Sequence, residues 1–363
     1  MTDNTHSLVT IQKATYDSID LTGLLKPLGG IEAHIHKGDR VLLKVNLLSA
    51  TTPDKAVVTN PRLVRATAET VLATGATPVI GDSPSGQFSK RRLQKTYEKA
   101  GLLAVSRDLG VDLNYDTSTT TVQVPDGRRL TSTPLCNFIR DADAIISLPK
   151  IKTHSFQIMT LATKNMFGAI PGLTKAKYHA LHPRKSAFAD MLLDVLSVAT
   201  PDLVIMDGII GMQGEGPGAG DPVHLGVLLA STDSIAMDLA VCRMLGLEPM
   251  GIPTLKQAKL RKLWPREITY PMLTPDEVSY TGFILPNTAG YLLTGKNTPS
   301  KSPVVTDRCT ACGQCHEICP KGAITNNGRK ATIQYNKCIR CYACHEVCPE
   351  KAIVLEDRGK THT

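Results

Sequence analysis

The sequence predicts an α/β protein, a mostly parallel sheet flanked by helices, followed by a small C-terminal α+β domain organised around cysteine. Three observations lead there. Between Val41 and about Gly246, short apolar runs alternate with amphipathic stretches, as strands and covering helices do in parallel sheets. The pattern loosens after Gly251, and residues 286–305 are rich in Asn, Thr, Gly, Pro and Ser, the composition of a linker. Beyond it, eight of the ten cysteines fall in two copies of one pattern, Cys309-x2-Cys312-x2-Cys315-x3-Cys319-Pro320 and Cys338-x2-Cys341-x2-Cys344-x3-Cys348-Pro349. The expected division is 1–285, a linker over 286–305, and 306–363, within the two or three domains that 363 residues accommodate.

In chain order, Val41–Leu48 reads as a buried strand. Asn60-Pro61 then caps and starts a helix that ends at Gly75, with Leu63, Ala66, Val71 and Leu72 on one face. Thr77–Gly81 is a second strand, followed by the turn-like Asp82-Ser83-Pro84-Ser85-Gly86 and a basic amphipathic helix from Lys90 to Ala100. Val111–Tyr115, Thr120–Val124 and Arg129–Thr131 surround Pro125-Asp126-Gly127 and read as a hairpin inserted in the main sheet. Asp143–Leu148, Leu203–Asp207 and Val223–Ala230 are further strands, and Ser186–Ala199, Ser234–Leu245 and Thr254–Trp264 are helical.

Bulk composition narrows the function. No apolar run approaches the ~18 residues of a membrane helix, and Met1–Thr10 lacks a signal-sequence pattern, so a cytoplasmic protein is expected. Cys136 and Cys242 stand alone and read as small buried hydrophobes. The net charge of +8 divides evenly: residues 299–363 carry ten Lys/Arg against six Asp/Glu, leaving +4 for the rest. With 4% aromatic residues and no long basic block, neither nucleic acid nor membrane is an expected partner. The basic balance suits a small anionic substrate or an acidic redox partner.

The cysteine spacing is that of an iron–sulfur run, in which three close thiolates hold one cluster and the fourth reaches to the other. Two [4Fe–4S] clusters and electron transfer follow. Zinc ribbons use paired C-x2-C units instead of this triple, and a disulfide framework belongs to small secreted chains. The two copies form a 29-residue repeat, Cys-His-Glu-Ile-Cys-Pro at 315–320 against Cys-His-Glu-Val-Cys-Pro at 344–349, which implies pseudo-two-fold symmetry. His316 and His345 follow a ligand in each half, either to tune it or as solvated residues.

In the larger domain, polar residues cluster where open α/β sheets bind ligands, beyond the carboxyl ends of strands. Lys44 and Asn46 end the first strand, Pro149-Lys150-Ile151-Lys152-Thr153-His154-Ser155 follows another, and Lys164 lies just beyond. Asp207 leads into a run with six glycines, which contains Glu215. Lys44, Lys150, Lys152 and Lys164 converging would make a cationic pocket, with Asn46, Asp207 and Glu215 shaping it and His154 or His179 supplying protons. Each lysine alone would pass as a solvated loop residue. The glycines Gly214, Gly216, Gly218 and Gly220 precede Pro222 and a strand rather than a helix, so they suggest a lid or anion nest, not a dinucleotide loop. Gly290-x4-Gly295-Lys296-Asn297 lacks the Ser/Thr of a P-loop, and His179-x2-His182 and His34-x-His36 lack a third metal ligand.

Two resemblances add to this. Residues 306–363 resemble the bacterial dicluster ferredoxins at every ligand, which implies that Cys309, Cys312, Cys315 and Cys348 hold one cluster and Cys338, Cys341, Cys344 and Cys319 the other. Free ferredoxins of that type are acidic, whereas this end of the chain, counted over residues 299–363, is +4. It therefore reads as an internal wire fed by an acidic carrier of ferredoxin or flavodoxin type. About residues 40–245 resemble an uncharacterised bacterial and archaeal α/β family, a domain of unknown function often fused to such a module. That resemblance rests on Lys44-Val45-Asn46, Pro149–His154, Lys164-Asn165-Met166-Phe167-Gly168, Gly214-Glu215-Gly216-Pro217 and Ala236-Met237-Asp238. It implies a shared fold and site but no settled reaction. The leading expectation is an oxidoreductase that reduces a small anion. An electron carrier using the α/β domain as a docking platform, and a non-redox isomerase with structural clusters, are the other readings. Whether a flavin binds is left open.

Overall fold

The computed structural model describes residues 6–295 and 300–357. Its centre is a nine-stranded sheet. Arg40–Val45 runs parallel to Thr77–Gly81 on one side and to Ala144–Leu148 on the other, and Asp112–Leu113 extends the first edge in parallel. Leu203–Gln213 lies beside Ala144–Leu148, also parallel. Its antiparallel partner Asp221–Ser231 leads to the strand Thr10–Lys13. Both faces are covered. Val41, Leu43 and Val45 pack with Leu63 and Val64 of the helix Pro61–Ala73, while Leu42 faces Met166, Phe167, Phe188 and Met191 on the other side. That double burial is why the strand reads as a continuous apolar run.

Local signals set the helix starts. Asn60 accepts a hydrogen bond from the Arg62 amide ahead of Pro61, and Asp233 accepts from the Ile235 and Ala236 amides at the start of Ser234–Met244. The structure departs from expectation at three places. The hairpin Thr119–Gln123/Ser132–Cys136 forms a separate two-stranded sheet, and only Asp112–Leu113 of that region joins the main one. The segment after Pro149 is a strand, Lys150–His154, buried along its whole length. It continues beside the same long strand, with Lys150 opposite Asp207 and Lys152 opposite Met212. Likewise, the first half of the glycine-containing run is strand as far as Gln213, which leaves 214–220 as the loop.

Of the stretch read as a linker, Gly290–Thr294 is a helical turn and Ser302–Val305 pairs antiparallel with Ile353–Glu356 at the base of the cysteine module. Lys296 and Asn297, the end of the P-loop-like run, lie outside the described residues. A second small pair, Ile324–Asn326 with Ala331–Ile333, and the turns Gln314–Ile318 and Ala343–Glu346 complete the module. It is packed onto the sheet domain. Tyr342 and Leu355 join the apolar cluster of Phe156, Phe167 and Phe188, and Ile318, Ala343 and Val347 pack with Ala176.

The buried strand Lys150–His154 is held by an ion pair. Lys150 Nζ lies 2.7 Å from Asp207 Oδ2, with side-chain exposures of 1% and 0%. Tyr16 donates to the other carboxylate oxygen at 2.7 Å and the Asn60 amide donates to Oδ2 at 3.0 Å. Burial lowers the Lys150 pKa and raises that of Tyr16, and Asp207 opposes the first shift and adds to the second. Lys150→Met, which strands the carboxylate, is expected to cost about 3–5 kcal/mol of stability. Lys150→Met with Asp207→Asn is expected to recover part of that loss, as measured by urea unfolding through the fluorescence of Trp264.

Candidate functional site

The eight module cysteines gather as two quartets. Cys309, Cys312, Cys315 and Cys348 line one cavity, and Cys319, Cys338, Cys341 and Cys344 line another. Backbone amides point at the sulfurs in matching places: Ala323 donates to Cys319 Sγ and Ala352 to Cys348 Sγ, each at 3.2 Å. Burial, reinforced by neighbouring cysteines, pushes the thiol of Cys315 up to about 11 and that of Cys341 up to about 12. Four ionised thiolates therefore need a strongly cationic centre among them. Among the described residues, no three or more Cys, His, Asp or Glu are gathered to hold a single metal ion. Sulfurs spread around a cavity suit a multi-atom cluster, whereas zinc draws four sulfurs to 2.3 Å of one point. The donor set fits an iron–sulfur cluster in each cavity.

A third cavity, of about 70 Å³, lies between the carboxyl ends of the sheet and the module. The strand Lys150–His154 brings Lys152 and His154 to it, and Asn46 follows the strand Arg40–Val45. The turn Leu161–Asn165, whose first amides are held by Asp238, carries Lys164. Lys175 and His179, one turn apart on the helix Gly172–Leu181, reach it from the opposite side. The module contributes Ile318, Ala343, Glu346 and Val347.

Charges here are only partly answered. Lys152 Nζ donates to the Val57 carbonyl at 2.7 Å, and burial, aided by Lys164 and Lys150, pushes its pKa down to about 7. Lys175 donates to the Ser83 carbonyl and, at 3.1 Å, to its hydroxyl, with its pKa pushed down to about 8 by burial. Lys164 is lowered by burial against the pull of Glu346, and Glu346 is raised by burial to about 7. Nδ1 of His154 accepts from the amides of Phe156 (3.1 Å) and Gln157 (3.3 Å), which assigns its proton to Nε2. That nitrogen is 3.3 Å from Glu346 Oε1, yet neither atom has a hydrogen-bond partner; the pair is close but misaligned. Asn46 Oδ1, Thr160 Oγ1 and His179 Nδ1 are likewise buried without partners. Buried polar atoms are paired as a rule, so five such atoms at one cavity mark a place for a polar guest.

Of the residues expected at the site, Asn46, Lys152, His154, Lys164 and His179 line this cavity. Lys150 and Asp207 do not; they form the ion pair described above. Lys44 stands just behind the lining, fully buried, paired with Asp82 at 2.8 Å and donating to Val45 O. Glu215 accepts from the Asn287 amide at 2.7 Å, outside the cavity. Its loop is a clasp rather than a lid. Ser155 donates to Gly216 O, His345 Nε2 lies 3.2 Å from Glu215 O, and a Cβ on Gly218 would sit 2.6 Å from Glu346 O. The histidines also differ from expectation: burial lowers His154 well below its ordinary value and His179 to about 3, so both are neutral. Sequence reasoning missed Lys175 and Glu346, and it placed Asp82 at a strand end without assigning it to the site. The four-residue spacing of Lys175 and His179 was a usable signal, while nothing distinguished Glu346 from Glu317 at the same place in the repeat.

Fold and site together define an iron–sulfur protein in which a dicluster electron-transfer module is packed on an α/β domain. The chain belongs to the family described as Domain of unknown function (DUF362), matched over residues 41–243, and carries a 4Fe-4S dicluster domain over residues 308–353. It is 37% identical over 276 residues to the "Thylakoid-associated protein sll1697" of Synechocystis sp., covering 73% of this chain and 82% of that protein. Among solved structures, the lactate racemase apoprotein from Thermoanaerobacterium thermosaccharolyticum is similar at a TM-score of 0.39 and 12% identity. That likeness covers 67% of this chain and 58% of the racemase, and carries no inference about site or reaction. No helix among the described residues is long and apolar enough to cross a membrane.

Gly168 tests the packing behind the cavity, because a Cβ there would fall 2.5 Å from Lys44 Nζ and closer still to Asp82. Gly168→Ala is expected to displace this ion pair and cost about 1–3 kcal/mol in thermal unfolding, with the visible absorbance of the clusters retained.

Proposed function

We propose that the protein is an iron–sulfur oxidoreductase that takes electrons from an acidic one-electron carrier and reduces a small anion bound between module and sheet. One observation carries this reading: Ala343 lines both the cavity of the second cysteine quartet and the lysine cavity. A single small residue separates the two, where the first half of the repeat has Gln314. The reading takes two [4Fe–4S] clusters, held by the two quartets, and a working place in the cytoplasm, where thiolates stay reduced.

The clusters, when bound, supply electrons singly. Everything else falls to the side chains. Lys152, Lys164 and Lys175 hold the anion by charge, at a size limited to a few non-hydrogen atoms by about 70 Å³. His154 Nε2–H and the side chains of Asn46 and Thr160 orient it. Adding two electrons to an unsaturated bond also requires two protons. The neutral imidazoles of His154 and His179 do not carry a surplus one, whereas Lys152 and Lys175, poised near 7 and near 8, each carry one in their charged forms. Glu346, from the module, faces Lys164 across the cavity and balances part of the charge.

The test uses anaerobic holoprotein with about eight iron atoms per chain, reduced and freed of reductant. Mixed with a panel of short 2-oxo acids and unsaturated carboxylates, it is expected to recover its oxidised visible absorbance with at least one of them, and about tenfold or more slowly in Lys175→Met. Reoxidation indifferent to both Lys152→Met and Lys175→Met would sink the assignment of the cavity. The pH dependence has a defined sign. Lysines lowered to about 7 and 8 are charged only below those values, so affinity for the anion is expected to fall as pH rises from about 6 to about 9. Equilibrium dialysis of that carboxylate across the range measures it.

A further inference from the structure

The second quartet has another open side. A cleft of about 340 Å³, sharing no residue with the lysine cavity, runs between the start of the helix Lys185–Val198 and the module, with Cys338 in its wall. Phe156 and Tyr342 form its inner end, and Arg184, Lys185 and Arg340 surround it. Arg184 and Arg340 are exposed, and among the described residues none of these three cations is in an ion pair. Lys185 donates only to the Thr288 carbonyl, at 3.0 Å. Arg184 also occupies the cap of the helix without bonding to its amides, so the positive end of that helix adds to the field.

The internal repeat gives a control within the molecule. Position 340 corresponds to Ala311 and position 342 to Gly313 in the first half. Both members of the first pair have positive φ, 54° and 52°, a conformation with no preference for arginine. The repeat geometry therefore requires the backbone, not the charge. The charge is present only at the quartet that borders the lysine cavity.

We propose that this cleft docks an acidic one-electron carrier protein, which delivers electrons to the second quartet's cluster at its Cys338 edge. The proposal deepens the oxidoreductase reading and rests on it for the electrons' destination. One electron leaves the carrier and enters an oxidised cluster, with no atom or proton exchanged. Carrier and substrate would then approach the second quartet at different residues, Cys338 and Ala343, and a cluster held by the other quartet would supply the second electron of a two-electron reduction.

A reduced acidic [2Fe–2S] ferredoxin serves as the probe, mixed with oxidised holoprotein in a stopped-flow instrument. Complex formation between the two oxidised proteins is measured separately by calorimetry at low and high salt. Arg184→Glu, on the sheet domain and far in sequence from every cluster cysteine, is expected to slow cluster reduction about tenfold or more at low ionic strength and to weaken the complex, with both differences shrinking as salt is added. Arg340→Ser is the second variant, with iron content verifying its clusters. A wild-type rate and affinity in Arg184→Glu, or a larger loss in Arg308→Glu beside the first quartet, overturns the proposal. If Arg184→Glu behaves as expected but no carboxylate reoxidises the reduced protein, the docking site stands and the substrate reading falls. If carboxylates reoxidise the protein while the ferredoxin ignores Arg184, the reverse holds.

Discussion

Burying an ammonium group is costly unless something nearby answers its charge, and this constraint orders the whole sheet domain. Lys44 and Lys150 are answered in full, by Asp82 and Asp207, each carboxylate being further bonded by backbone amides or a tyrosine. Those two pairs fasten neighbouring strands and leave no charge over. Lys152 and Lys175 hydrogen-bond only to carbonyl and hydroxyl oxygens and feel the charge of Asp82 without an ion pair, and Lys164 shares the charge of Glu346. The same residue type is thus structural where its partner is a carboxylate and available where it is not. The module closes over these groups, and the lost hydration is what pulls Lys152 and Lys175 down to about 7 and about 8.

The glycine loop is part of that closure. Residues 214–220 lie between the buried strand at Thr153 and Ser155 and the module backbone at Glu346, close enough that a side chain at Gly216 or Gly218 would collide. The loop transmits the position of the cysteine module to the strand that carries Lys152 and His154. Apolar contacts of Tyr342 with Phe156, ring centroids 6.3 Å apart, reinforce the same junction. The two domains consequently form a single site with one wall from each.

Much of this was legible before the fold was known, for reasons that are local. Asn60-Pro61 and Asp233 announce helix starts because a cap acts within three residues. The cysteine runs announce quartets because the spacing is itself the geometry. The strand after Pro149 was illegible, since Lys-x-Lys-x-His resembles a solvated loop until Asp207 and the Val57 carbonyl are brought to it. Lys150 and Lys152 also share a strand face by periodicity, and only an irregular register, with their partner positions 207 and 212 five apart where a regular ladder has two, sends them to different neighbours. Glu317 and Glu346 are indistinguishable in the repeat. The first reaches Arg92 at the surface and the second is enclosed with His154. Such differences belong to docking, which no local pattern encodes.

Because Ile318, Ala343, Glu346 and Val347 supply a wall of the lysine cavity, the sheet domain by itself presents only an open trough. Those four residues sit among the cysteines whose folding depends on acquiring metal. On the oxidoreductase reading proposed above, competence to bind the anion would be conditional on prior cluster assembly, an order of maturation enforced by architecture. In an iron-starved cell, chains lacking clusters would then be silent bystanders, with neither an enclosed cavity nor electrons to offer.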